Sequence, residues 1–158
     1  MKLVAITTIV ALIANSASAP VIVKPQSDVK TRHIIPVTDV GCGGDVLDPS
    51  DTAEAKKKMI RWDRAGNKVD QKNWHPEYFN GTVWYLCNCK LFWRDGAPEE
   101  ELNQVEQILS ETCGPAHTGW VWSKPWQKAY NVASVKTISG KKPPHLCPRH
   151  CMWAHIGD

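Results

Sequence analysis

The sequence predicts an α+β fold: a small antiparallel sheet of about four strands, one or two helices packed on one face, and three disulfides. Three observations carry this prediction. Six cysteines occur in a chain that opens on an export signal, and an even count in an oxidising compartment reads as a disulfide framework. Thr82 to Cys89 is apolar on both of its alternating faces, as in a strand covered on two sides. A helical stripe of Leu102, Val105 and Leu109 follows, and then a second apolar strand, Gly119 to Ser123.

Taken in order, the chain begins with Lys2, an almost wholly apolar run from Leu3 to Ala14, and the small residues Ala17-Ser18-Ala19. Residues 1–19 therefore read as a secretory signal peptide, too short and wrongly flanked for a spanning helix. Residues 20–40 read as an extended N-terminal arm, because Pro20, Pro25 and Pro36 break any helix and Lys24 to His33 is polar. Cleavage after Arg32 would expose His33 as an N-terminal copper ligand, but Lys30-Thr31-Arg32 is not dibasic. Residues 41–158 are expected to form a single disulfide-stabilised domain.

Gly41-Cys42-Gly43-Gly44 reads as a turn presenting a cysteine. Pro49 to Ala65 is expected to be helical, with Asp51 and Glu54 in a capping-box pattern and Ala55, Met59 and Trp62 along one face. Gly66-Asn67 ends it. Val69 to Asn80 reads as loop, with Pro76 inside it, and Asn80-Gly81-Thr82 is a glycosylation sequon. In the central strand Val83, Tyr85, Cys87 and Cys89 share one face, and Trp84, Leu86 and Asn88 the other. Pro98 opens the main helix, Glu99 to Glu101 complement its dipole, and it runs to Cys113. The strand Gly119 to Ser123 alternates Trp120 and Trp122 on one face, and because Pro125 interrupts it, it reads as an edge strand or a strand with a break. Trp126 to Val135 continues as strand, Ser139 to Pro144 is a linker, and Cys147 and Cys151 hold the tail.

Cys42, Cys87, Cys89, Cys113, Cys147 and Cys151 are all expected to be bridged. Because the helix folds back on the central strand, Cys113 is expected to pair with Cys87 or Cys89. A four-sulfur zinc site from Cys87, Cys89, Cys147 and Cys151 is the competing arrangement, and export argues against it.

Several stretches resemble a group of uncharacterised small secreted cysteine-rich fungal proteins regarded as candidate effectors. They are Trp62 with Gly66-Asn67, Trp84-Tyr85-Leu86-Cys87-Asn88, Cys113-Gly114, Gly119-Trp120-Val121-Trp122, and Trp126-Gln127-Lys128-Ala129-Tyr130. The resemblance covers about Arg61 to Asn131. More distantly, the strand–helix–strand order is similar to killer-toxin-like and necrosis-inducing secreted α/β domains. The chain departs from the group's pattern in one respect: no cysteine lies between Trp93 and Pro98, and Cys89 on the strand stands in its stead. The resemblance implies a virulence-related secreted binder and carries over no catalytic residue.

The net charge of +3 is too small for the basic stripe of a nucleic-acid binder, and the lysine runs read as solvated faces. No nucleophile elbow is present, and bridged cysteines are not nucleophiles. His75, His117, His150, Arg94 and Arg149 could serve a nuclease only if the fold gathered them. No cofactor or metal is expected. The eight tryptophans are the unusual feature. Trp84, Trp120 and Trp122 are expected in the core with Trp62. Trp74, Trp93, Trp126 and Trp153 sit in polar or loop contexts and are the candidate ligand contacts. The functional expectation is a secreted extracellular monomer that binds a host or extracellular protein without catalysis. A cell-wall polysaccharide binder and a small toxin or hydrolase are the alternatives.

Overall fold

The structure, a computed structural model, describes residues 34–141, 146–148 and 151. The expected signal peptide, His33, Arg149, His150 and Trp153 lie outside the described residues. The elements are β1 (Asp39–Val46), α1 (Pro49–Arg64), β2 (Asn73–Phe79), β3 (Thr82–Asn88), α2 (Glu99–Cys113), β4 (His117–Ser123), β5 (Lys128–Ser134) and α3 (Val135–Ile138). The five strands form one sheet in the order β1-β4-β5-β3-β2, every neighbouring pair antiparallel. The α+β class is as expected, with five strands instead of four.

β3 is the interior strand that its composition demands, with all seven residues buried. On its helix side Trp84 and Leu86 join Val121, Tyr130 and Val132, and pack on Ala55, Met59, Leu102, Val105 and Leu109 of the two long helices. The buried Trp84 indole donates to the Thr52 carbonyl at 3.1 Å, which meets the need of its N–H. On the other side Val83, Tyr85, Cys87 and Cys89 pack with Ala129, Ala133, Ile138, Cys147 and Cys151. One face of the sheet is thus covered by helices, and much of the other by the chain after β5.

The bridges are Cys42–Cys113, Cys87–Cys147 and Cys89–Cys151. The expected pairing of Cys113 with the central strand is therefore corrected. Cys87 and Cys89 point away from the helices, as their alternation with Trp84 and Leu86 requires, so Cys113 on α2 meets β1 instead. The two bridges from β3 use four sulfurs that a zinc site would otherwise have shared.

Other corrections have local causes. The cap of α1 is Asp48, not Asp51: its carboxylate accepts from Ser50 N at 2.8 Å and Asp51 N at 3.0 Å. The expected loop before Asn80 contains β2, an edge strand that tolerates Pro76 because one side of an edge needs no donor. Asn80-Gly81 is the two-residue turn between β2 and β3, with Asn80 at φ 43°. Gly41 to Gly44 lie in β1, with a register shift between Cys42 and Val46. β4 is interior, because β1 covers it, and Pro125 falls in the turn after it. The domain also takes in part of the expected arm. Ile35 is buried in the core, and its N–H donates to Gln104 Oε1 at 2.8 Å. No helix among the described residues is long and apolar enough to cross a membrane.

Candidate functional site

Between β3 and α2 the chain makes its most conspicuous exposure. Leu91, Phe92 and Trp93 are consecutive and 50%, 76% and 72% exposed. Three large apolar side chains in a row on a surface need a reason, because burying each would gain about 1.5–3 kcal/mol.

The backbone of this loop is firmly held. Asn88, fully buried at the end of β3, directs its amide Nδ2 to Val69 O at 3.0 Å, Asp70 O at 3.1 Å and Trp93 O at 2.8 Å. Its Oδ1 accepts from Lys90 N at 3.1 Å. Gln71 Nε2 donates to Phe92 O at 3.1 Å. Asp95 and Val69 exchange both backbone hydrogen bonds, at 2.6 and 2.9 Å. At the loop's start Cys89 is bridged to Cys151 and its N–H donates to Gln127 O at 2.9 Å. The carbonyls of Phe92 and Trp93 face inward, so their side chains are left to the outside.

The loop's far end rests on a buried charge network. Lys128 is 1% exposed, because the register of β5 puts it on the helix face with Tyr130 and Val132. Its ammonium lies 2.5 Å from Glu101 Oε2 and 3.3 Å from Asp95 Oδ1. Glu101 also accepts from the Tyr130 hydroxyl at 2.5 Å, and Lys90 Nζ lies 2.7 Å from Asp95 Oδ2. Burial disfavours ionised Asp95, but the Lys128 and Lys90 ammoniums and the Gly96 N–H outweigh it and hold the carboxyl below its usual range. Burial first, and then the Glu101 charge, push the Tyr130 hydroxyl far upward, so it remains a donor. Lys90, Asp95, Glu101 and Lys128 border a cavity of about 220 Å³ that Trp126 also lines. The two lysines and two carboxylates are matched to each other, which makes the cluster a fastening for the loop.

Next to it, Lys90, Leu91, Phe92, Trp93, Pro125 and Trp126 line a groove of about 310 Å³. The fold thus brings together two of the candidate contacts, Trp93 and Trp126. It sets Trp74 apart, on β2, with its ring edge-on to Tyr85 at 5.6 Å between centroids. Trp153 lies outside the described residues. Asn80 is exposed in its turn, and its Nδ2, the glycosylation atom, donates to Asp51 Oδ1 at 2.8 Å. Leu91 and Phe92 were not singled out in the sequence; the apolar run Leu91-Phe92-Trp93 ahead of a turn was the available signal.

The groups considered for catalysis are dispersed. His75, on edge strand β2, stacks on Trp62 at 3.9 Å and contacts Glu77 Oε1 at 2.9 Å. His117, on β4, borders a separate cavity of about 210 Å³ with Ser110 and Glu106. Arg94 pairs with Asp70 at 2.7 Å, and His150 and Arg149 lie outside the described residues. Trp84 is a core residue as expected, whereas Trp120 is 37% exposed and Trp122 half-buried, both on the sheet face away from the helices. Trp120 therefore departs from the core expectation, while Trp122 packs against the buried cluster on the face away from the helices.

A scan against known protein-family models finds no match, and searches of curated proteins and of solved structures find none.

Proposed function

We propose that this is a secreted, effector-like protein that binds a host or extracellular protein through Leu91, Phe92 and Trp93. The observation that carries the reading is the contrast within one loop: a backbone fixed from inside at Phe92, Trp93 and Asp95, and three apolar side chains left in solvent. A pre-ordered loop loses little entropy on binding, and exposed aromatic side chains are common anchors of protein interfaces. The resemblance to small cysteine-rich fungal candidate effectors supports the same reading. Export is part of the proposal and is supported by the leader pattern and the three bridges.

The test compares the secreted protein with a Phe92→Ala/Trp93→Ala variant on host tissue or cells. The variant should keep its melting temperature and lose binding to protease-sensitive surface sites. Equal binding by both proteins would reject the assignment.

A second reading, a cell-wall polysaccharide binder, is favoured by the shared groove of Trp93 and Trp126. Retention on chitin or glucan beads, lost on Trp93→Ala or Trp126→Ala, would select it. A toxin or hydrolase would need reactive groups in one cleft, and His75 and His117 lie on separate strands near opposite edges of the sheet.

A further inference from the structure

The sheet face away from the helices carries a second aromatic feature, separate from the exposed loop. Trp120 and Trp122 alternate on β4 and so share this face. The register places Gly41 opposite Trp120 and Asp39 opposite Trp122 on one side, and Asn131 and Ala129 opposite the same two on the other. Directly paired residues share a face, so two indoles, a carboxylate and an amide meet over a floor of small residues. They border a cavity of about 370 Å³. That lies within the size range of small-molecule sites.

The groove is built rather than incidental. A Cβ on Gly41 would overlap Cε2, Nε1 and Cζ2 of Trp120, so the indole lies across the glycine backbone and depends on the missing side chain. Leu146 and Pro148 form the opposite wall. The bridge from Cys147, between them, to Cys87 fastens that wall to β3, and the Tyr85 hydroxyl donates to Leu146 O at 3.2 Å. Asn131 is 6% exposed, yet among the described residues its Nδ2 has only long contacts, 3.5 Å to Tyr85 O and 3.6 Å to Cys87 Sγ. A buried amide with its donors so weakly used retains capacity for a ligand.

We propose that this groove binds a pyranose ring of a neutral oligosaccharide, with its C–H face against Trp120 and Trp122 and its hydroxyl rim hydrogen-bonded by Asp39 and Asn131. The chemistry discriminates against other occupants. Asp39 Oδ1 accepts from Val40 N at 2.9 Å, but an aliphatic chain would leave the rest of the carboxylate and the Asn131 amide desolvated without good partners. A quaternary ammonium is recognised by the faces of rings gathered around it, whereas indoles two apart on one strand stand side by side along the sheet. A pyranose has an apolar face and a polar edge, and that is the pattern the groove presents.

The experiment follows the indole Nε1–H resonances of the full secreted protein, bridges intact, assigned with single Trp→Phe variants. The probes are soluble N-acetylglucosamine and β-glucose oligosaccharides, with choline chloride as a third titrant. One of the sugars should shift the Trp120 and Trp122 signals to saturation while those of Trp62 and Trp84 stay in place. Asp39→Ala, at an exposed position, should weaken binding about tenfold, a change of 1.4 kcal/mol. Gly41→Ala should weaken it at least as much, because the added methyl displaces Trp120, and Lys57→Ala should leave it unchanged. No response to either sugar, a response confined to Trp93 and Trp126, a response to choline alone, or unaltered binding by Asp39→Ala would each overturn the proposal. Asp39→Ala decides the matter if Gly41→Ala does not fold.

Discussion

Substituting Asn88 by alanine tests whether the exposed loop is held from within. The change removes the bonds of Nδ2 to three carbonyls and the bond that Oδ1 accepts from Lys90 N. The two hydrogens of Nδ2 are shared among its three acceptors, so with the Oδ1 bond the equivalent of three bonds, at a net 0.5–1.5 kcal/mol each, amounts to roughly 1.5–4.5 kcal/mol. The lower half of that range applies, because Val69 O keeps the Asp95 N–H at 2.9 Å and the other groups are only partly buried and can rehydrate. A loss of about 2 kcal/mol is expected, equivalent to roughly 7 °C in melting temperature. Urea unfolding without reductant measures it. Hydrogen exchange should quicken most at Lys90 and Asp95, whose amides end the strapped segment. Asn88→Asp should be worse than Asn88→Ala, since a buried carboxylate would face three carbonyl oxygens. Either variant should weaken target binding although Asn88, fully buried, touches no partner. A stability loss below about 1 kcal/mol, with unchanged exchange in the loop, would refute the strap.

Four further outcomes follow from the same structure. Lys128→Met should cost about 3–5 kcal/mol in denaturant unfolding by stranding Glu101, and adding Glu101→Gln should recover part of it. Asp95 has a depressed pKa, so its ionised contacts stabilise the protein above the unfolded carboxylate pKa of about 3.9; this contribution fades as pH falls through the lower folded value, and loop exchange should quicken there first. Phe92→Ala and Trp93→Ala should each change stability by less than about 0.5 kcal/mol, as a melting curve can check, because neither side chain is buried. Cys113→Ala, which breaks the bridge to Cys42, should cost ~2–5 kcal/mol and lower secretion, and the parent protein should show no titratable thiol when denatured without reductant.

The parts of the fold legible in the sequence are those whose signal lies within one element. The alternation of Trp84 and Leu86 with Val83, Tyr85 and Cys87 foretold a strand covered on both faces. The stripe of Leu102, Val105 and Leu109, stopped by Gly114, foretold α2. The parts that were missed depend on a neighbour. Gly41 and Gly43 look like turn residues, but they serve pairing: Cβ atoms there would meet the side chains of Trp120 and Thr118. β2 was hidden by Pro76, although Asn80-Gly81 immediately before an apolar strand was a readable hairpin signal. Periodicity placed Trp120 and Trp122 on one face without saying which face the helices take. At the candidate site, Trp93 and Trp126 were legible as tryptophans in polar contexts. The fastening was not, because Lys128 meets Glu101 across 27 positions and Asn88 reaches back to Val69 across 19.

The two bridges that leave β3 at alternate residues give the molecule two unequal sides. Its helix side coheres by the packing of two long helices and one bridge, Cys42–Cys113, whereas on its tail side Cys147 and Cys151 are each bound covalently to the central part of the sheet. Reduction would break all three bridges, but the tail side would loosen first, baring Val83, Tyr85 and Ala129, because the helix side keeps the larger apolar cluster beneath α1 and α2 after losing Cys42–Cys113. Passage from an oxidising to a reducing milieu would change which surface this chain shows its surroundings.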